Sequence, residues 1–176
     1  LLCLALACTA CAGGDMQPSP TPDAATEAPQ DANLPQLPED IRVDQNGVPV
    51  LNVYVQSEDK NDEMGLEEYL CGVLAGEMKN DWPEEALKAQ AVAARTYALK
   101  KMSAQAATYD VVDTTSDQVY NGTPSSSDRC AQAVRETSGI IGTVGGEYMA
   151  SYYTASNGGQ IESVRNIWGS TQYDYI

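Results

Sequence analysis

Two neighbouring helical segments constrain this chain more than any other feature. In Glu67-Glu68-Tyr69-Leu70-Cys71-Gly72-Val73-Leu74-Ala75-Gly76-Glu77-Met78, the residues Leu70, Val73, Leu74 and Glu77 recur at three-and-four spacing and share one helix face. The segment leads into a second, alanine-rich one that runs from Asp81-Trp82-Pro83 to Lys100-Lys101. There Pro83 stands at the first turn, Glu84 and Glu85 lie at the positive helix end, and Lys100 and Lys101 suit the negative end. Glu84 and Lys88 add an i,i+4 pair. Alanine lets a neighbouring backbone come close, so the two helices are expected to pack on each other. The apolar face of the first is then buried, and Glu77 with it. Burial disfavours the charged form of a carboxylate, which makes Glu77 a candidate proton donor. Position alone leaves two other readings open, a partly exposed helix glutamate and a carboxylate neutralised by Arg95 in a structural ion pair.

The 176 residues suffice for one domain with a sizeable core and some unstructured length. None is a histidine. A Ser-His-Asp triad, a Cys-His dyad, an HExxH helix and mixed Cys/His zinc sites are therefore excluded. Catalysis has to rest on carboxylates, tyrosine, lysine, arginine, serine or cysteine, and a perturbed carboxylate is the simplest choice. With 25 acidic and 10 basic residues the net charge is −15, which argues against nucleic acid or an anionic membrane surface as the main partner. Residues 1–40 hold six acids and no Lys or Arg, so the remainder, with 19 acids and all 10 basic residues, is only moderately acidic.

The first 14 residues, Leu1 to Gly14, are apolar, rich in small side chains and too short to span a bilayer. They read as the end of a secretory leader whose start Met and basic segment lie upstream. Cys11, or alternatively Cys8, follows small residues as in a bacterial lipobox, where a cysteine becomes the lipidated first residue of the mature protein. Lipidation at Cys11 would make this an extracytoplasmic lipoprotein that meets the membrane only through its anchor; the alternative is a secreted protein with an ordinary cleaved leader. Residues 15–40 are dominated by Pro, Ala, Gln, Thr and acids, and six of the nine prolines fall within residues 1–40. Such a stretch cannot bury enough apolar surface to fold and is read as a disordered tether.

The folded part, residues 41–176, starts near Ile41. Leu51, Val53 and Val55 alternate with Asn52, Tyr54 and Gln56, the period of a half-buried strand. A polar loop is expected from Ser57 to Gly65, then the helix pair. Ser125-Ser126-Ser127-Asp128 offers a cap for a helix through Cys130 and Val134 that stops at Gly139. Ile140 to Val144, Gly145-Gly146 and Glu147 to Tyr153 read as a hairpin with a two-residue primed turn. The order of elements indicates an α+β fold, a single domain in which the helix pair packs on antiparallel strands.

The string Glu68-Tyr69-Leu70-Cys71-Gly72-Val73-Leu74-Ala75-Gly76-Glu77-Met78, followed by Trp82-Pro83-Glu84-Glu85-Ala86-Leu87-Lys88-Ala89-Gln90-Ala91-Val92-Ala93-Ala94-Arg95-Thr96-Tyr97-Ala98, closely resembles the signature of the stage II sporulation protein D (SpoIID) family. That family comprises peptidoglycan lytic transglycosylases and amidase-enhancer relatives. Asp117 to Gly122, Ala133 to Gly139, Tyr152 to Gly159 and Ile167-Trp168-Gly169-Ser170 resemble further family segments in the same order. The resemblance runs from about Ile41 to the end. Relatives usually continue beyond Trp168, so part of the domain is expected to be missing there.

The resemblance implies that Glu77 is the catalytic acid/base and that Arg95 lies in or near the active groove. It also implies that Gln118, Tyr120, Tyr153 and Ser156 line the glycan site. Family members often carry His where Thr154 stands, and some bind zinc through His and Cys; a chain without histidine cannot, so no metal and no cofactor are expected. Partners implied are peptidoglycan glycan strands and other cell-wall hydrolases, in sporulation or vegetative wall remodelling. Ordinary glycosidases use two carboxylates, whereas a lytic transglycosylase can use one. Its glutamic acid protonates the glycosidic oxygen between N-acetylmuramic acid and N-acetylglucosamine, and the resulting carboxylate deprotonates the muramic C6 hydroxyl, which closes on its own anomeric carbon. The alternative is a non-catalytic wall-binding amidase enhancer. Cys71 and Cys130 are the thiols beyond the leader and are either a disulfide or two separate buried thiols. Ten tyrosines and no phenylalanine suit sugar stacking, or an ordinary core.

Overall fold

The computed structural model describes residues 41–104, 108–123, 127–154, 156 and 158–173. The leader with Cys8 and Cys11, the tether, Ser125 and Ser126 of the expected cap, and Ala155 and Asn157 lie outside the described residues. The architecture is α+β, with helices packed around a small sheet.

Strand β1 (Val50–Val55) puts Leu51 and Val53 into the core while Asn52 and Tyr54 stay half-buried, as the alternation requires. It is the middle strand of a sheet in the order β2-β1-β3. β2 (Lys60–Gly65) pairs antiparallel with β1 from Val50↔Gly65 to Val55↔Lys60. A loop was the expectation for this polar stretch; the backbone ladder overrides its weak strand propensity. Its charged, mostly exposed side chains also suit an edge strand, because they discourage further pairing. β3 (Val111–Val112) runs parallel to β1, so the sheet is mixed rather than purely antiparallel. The two helices supply the long crossover that a parallel pair needs.

Helix α1 (Leu66–Glu77) follows β2 directly and has Glu67 and Glu68 in its first turn. Leu66, Tyr69, Leu70, Val73 and Leu74 form its buried stripe. Glu77 extends that stripe as the last helical residue and is half-buried rather than sealed in the core. Helix α2 (Glu84–Ser103) buries Leu87, Ala91, Ala94 and Ala98 along one side. Helix α3 (Asp128–Glu136) is capped by the Ser127 side chain, which accepts from the Cys130 N–H at 3.2 Å. Together α1, α2, α3 and the inner face of β1 enclose the core.

Beyond α3, β4 (Thr143–Val144) and β5 (Glu147–Tyr148) form a short hairpin. Gly145 and Gly146 turn it with φ of 61° and 88°, the left-handed pair of a primed turn. Helix α4 (Val164–Trp168) ends at Gly169. Cys71 and Cys130 are both free thiols; Cys130 is buried and its Sγ donates to Asn80 Oδ1 at 3.3 Å.

Candidate active site

The site is assembled around the end of α1. Gly72 and Gly76 stand one turn apart on that helix, and both are needed for their lack of a side chain. A Cβ on Gly72 would lie 2.2 Å from Tyr120 Cε2, and one on Gly76 would lie 2.4 Å from the Val119 carbonyl oxygen. The segment 118–121 therefore rests directly on α1, with the Asn121 N–H donating to the Gly72 carbonyl at 3.3 Å. At its start, Asp117 accepts from the Tyr97 hydroxyl at 2.8 Å and the Val112 N–H at 2.9 Å, and it pairs with Lys101 at 2.8 Å.

This docking brings the Val119 N–H to Glu77 Oε1 at 2.8 Å. The Tyr153 hydroxyl donates to the same oxygen at 3.3 Å. Gln118 is fully buried and connects the two segments: its Nε2 donates to the Tyr153 oxygen at 3.2 Å and to the Ala94 carbonyl at 3.4 Å, and its Oε1 accepts from the Tyr69 hydroxyl at 3.3 Å. The stretch before Tyr153 is tied to α2 by Ser151 Oγ, which donates to the Ala93 carbonyl at 2.7 Å. Burial first, then the negative charge of Glu77, push the Tyr153 phenol above its ordinary pKa. It therefore stays a neutral O–H donor at physiological pH.

The chemistry of Glu77 follows from where its donors sit. A backbone N–H can only donate, so Oε1 is committed as an acceptor in either protonation state. Oε2 takes no hydrogen bond from any described residue. When the side chain is a carboxylic acid, its proton belongs on Oε2.

Tyr153 has a second role, as it lines a cavity of about 570 Å³ together with Tyr152, Thr154, Ser156, Glu162 and Trp168, among others. Tyr152 meets Trp168 edge-on with ring centroids 4.9 Å apart, and both are well exposed. Such aromatic faces with polar side chains between them suit a sugar. Ser156 lies on this wall, where its carbonyl accepts from Thr154 Oγ1 at 3.2 Å.

Of the residues expected at the site, Glu77, Gln118 and Tyr153 are thus brought together, and Ser156 shares the cavity with Tyr153. Gln118 is too deeply buried to touch a ligand and acts by holding Tyr153. Tyr120 stacks on Tyr69 at 5.4 Å over Gly72, a packing role beneath the docked segment. Arg95 does not fit the expectation. Only 1 % exposed, it grips Glu67 with Nε and Nη2, both at 2.7 Å, and gives its other donors to Val134, Thr137 and Ile140. Glu67 and Glu77 are ten positions apart on α1, about 15 Å along the axis, so Arg95 neither neutralises Glu77 by contact nor reaches its cavity. Arginine needs several planar acceptors when buried, and the turn after α3 supplies them.

The Thr154 hydroxyl is used within its own loop, and the Cys130 thiol bonds to Asn80. Among the described residues no group of three or more Cys, Asp or Glu is placed to hold a metal ion.

Gly72 and Gly76 carry a signal in their i,i+4 spacing, which in an apolar helix points to a close approach of backbone. The Val119 amide left no signal, since any residue carries one.

The model of the family described as stage II sporulation protein matches residues 54–143, a span that contains Glu77, both α1 glycines and the Val119 amide. The chain is 44% identical over 110 residues to an uncharacterized protein of Brachyspira hyodysenteriae (61% of this chain, 30% of the relative). It is 40% identical over 102 residues to the amidase enhancer of Bacillus subtilis (58% and 14%). It is also 34% identical over 135 residues to the stage II sporulation protein D of Bacillus amyloliquefaciens (67% and 39%). The chain thus spans well under half the length of these relatives. With half of its residues inside the family model, and with the helix pair and docked segment that build the site lying in that half, the chain belongs to the stage II sporulation protein (SpoIID) family.

Proposed function

We propose that this chain is a cell-wall protein that cleaves peptidoglycan glycan strands as a lytic transglycosylase, with Glu77 as its single acid/base. One observation carries the reading: the Glu77 carboxyl group has Oε1 pinned by the Val119 N–H and the Tyr153 hydroxyl, and Tyr153 also lines the aromatic-walled cavity, where the exposed Glu162 stands on the rim. Glu77 Oε2 gives its proton to the glycosidic oxygen as the bond from the muramic anomeric carbon breaks. The same oxygen, now carboxylate, accepts the proton of the muramic C6 hydroxyl as that hydroxyl bonds to the anomeric carbon. The products are a 1,6-anhydromuramic end and a free N-acetylglucosamine 4-hydroxyl, and the enzyme regains its proton. The internal nucleophile removes the need for a second carboxylate. Such a substrate lies outside the cytoplasm, in keeping with residues 1–14 as an export leader and Cys11 as an anchoring cysteine.

The test is to incubate the chain with purified glycan strands, with and without stem peptides, and to look for 1,6-anhydro ends by mass spectrometry. Loss of these ends in Glu77→Gln supports the proposal, and undiminished release in that variant overturns it. A second reading, stimulation of an amidase without cleavage, is favoured by the relative named amidase enhancer. It requires Glu77→Gln to stimulate an amidase as well as the unaltered chain does.

A further inference from the structure

The Tyr153 oxygen has one proton and two lone pairs. The proton goes to Glu77 Oε1 and one lone pair takes Gln118 Nε2, which leaves the second lone pair for another donor. Along α2, Gln90, Ala93, Ala94 and Tyr97 fall on one face at three-and-four spacing. The last three all engage the segments that carry Gln118 and Tyr153: Ala93 accepts from Ser151, Ala94 from Gln118, and Tyr97 donates to Asp117. Gln90 continues this row by one turn toward the helix start, and its side chain acts to lower the Tyr153 phenol's pKa against the larger upward push of burial. Its Nε2 is buried and, among the described residues, is without a hydrogen-bond partner. A buried donor left unpaired is unfavourable and calls for an acceptor. The Tyr153 oxygen is an acceptor with capacity to spare.

We propose that Gln90 is a positioning residue for Glu77, acting as the second amide donor to the Tyr153 oxygen. With both lone pairs occupied by amide N–H groups, the phenol cannot accept a proton from Glu77 and can only donate its own. The O–H is thereby held on Oε1, and the proton that moves in catalysis is confined to Oε2. Two amide donors also polarise the phenol, which strengthens its bond to the carboxylate formed once the glycosidic oxygen has been protonated. The catalytic consequence rests on the transglycosylase reading above; the pairing itself does not.

The experiment uses the full chain, labelled with nitrogen-15, and the Gln90 side-chain amide resonance, assigned by its loss in Gln90→Met. In Tyr153→Phe, which removes only the oxygen, that resonance is expected to shift while those of Gln56 and Gln132 stay in place. A Gln90 resonance unmoved by Tyr153→Phe overturns the proposal. In glycan cleavage, Gln90→Met is expected to lower kcat roughly tenfold with KM within about twofold. In a Tyr153→Phe background it should have no further effect. Additive losses would mean a packing role and overturn it as well. Methionine fills nearly the same space; should that variant fail to fold, Gln90→Glu keeps the shape, removes the donor and must show the same non-additivity. If the unaltered chain releases no anhydro ends, the transglycosylase reading falls, while the amide resonance still decides the Gln90–Tyr153 pairing.

Discussion

Gly76 lies directly beneath Val119, so close that a Cβ on the glycine would come within 2.4 Å of the Val119 carbonyl oxygen. That contact positions the Val119 N–H on Glu77 Oε1. Gly76→Ala is favourable for the helix alone by about 1 kcal/mol, yet the methyl would meet backbone, which cannot rotate away. We expect a net destabilisation of about 1–3 kcal/mol together with loss of glycan cleavage. Chemical denaturation and the anhydro-end assay check both, and an unchanged unfolding midpoint with full activity would refute the docking argument.

Arg95 and Glu77 should separate cleanly by variant. Arg95→Ala leaves the one-third-exposed Glu67 (35%) without its partner and strips the Val134 and Ile140 carbonyls of a donor; a loss of about 1–3 kcal/mol is expected. Arg95→Lys should recover little, since one ammonium cannot reproduce the fork. Glu77→Gln keeps an oxygen for the Val119 N–H, and its stability should stay within about 0.5 kcal/mol of the unaltered chain. Urea titrations of the three variants test the contrast. A stable, inactive Arg95→Lys protein would return Arg95 to the site.

Tyr153→Phe removes one of the two donors on Glu77 Oε1 and leaves one Gln118 N–H without its phenol acceptor. A fall in kcat of roughly tenfold to a hundredfold is expected. An unchanged kcat would show that the phenol is not engaged during cleavage.

The buried phenols set the alkaline limit of stability. Burial holds Tyr69, Tyr97 and Tyr153 above their ordinary pKa, with Asp117 adding to the effect at Tyr97 and Glu77 at Tyr153. In the unfolded chain these groups ionise near pH 10, while in the folded chain they remain protonated. Above that pH the unfolded state binds fewer protons, so the stability they contribute is intact below about pH 10 and is lost as pH rises further. Unfolding free energies measured from pH 8 to 11 should fall at the upper end, less steeply in Tyr153→Phe. A flat profile would contradict the burial of these hydroxyls.

Both thiols should react slowly. The Cys71 thiol is pushed up first by burial and then by the nearby negative charge of Glu67, and Cys130 is fully enclosed. Iodoacetamide at neutral pH is expected to modify Cys71 sluggishly and Cys130 only after denaturation. Rapid double labelling of the folded chain would count against this packing.

The helix pair, the stripe of α1, the β1 alternation and the glycine turn of the hairpin were legible from residue order, because each depends on contacts within a few positions along the chain. β2 was not, since its polar residues form a strand only through the ladder that β1 offers.

The site divides the same way. That Glu77 ends the apolar stripe of a helix follows from residue spacing alone. Which groups meet that carboxylate was decided only by tertiary structure. Val119 and Tyr153 lie 42 and 76 positions away, and they arrive because two glycines let a loop lie on α1 and because Gln118 anchors the phenol. Arg95 shows the converse. Its motif marks it as important, but the direction of its side chain was set by where Glu67 and the turn after α3 could supply acceptors for a buried guanidinium.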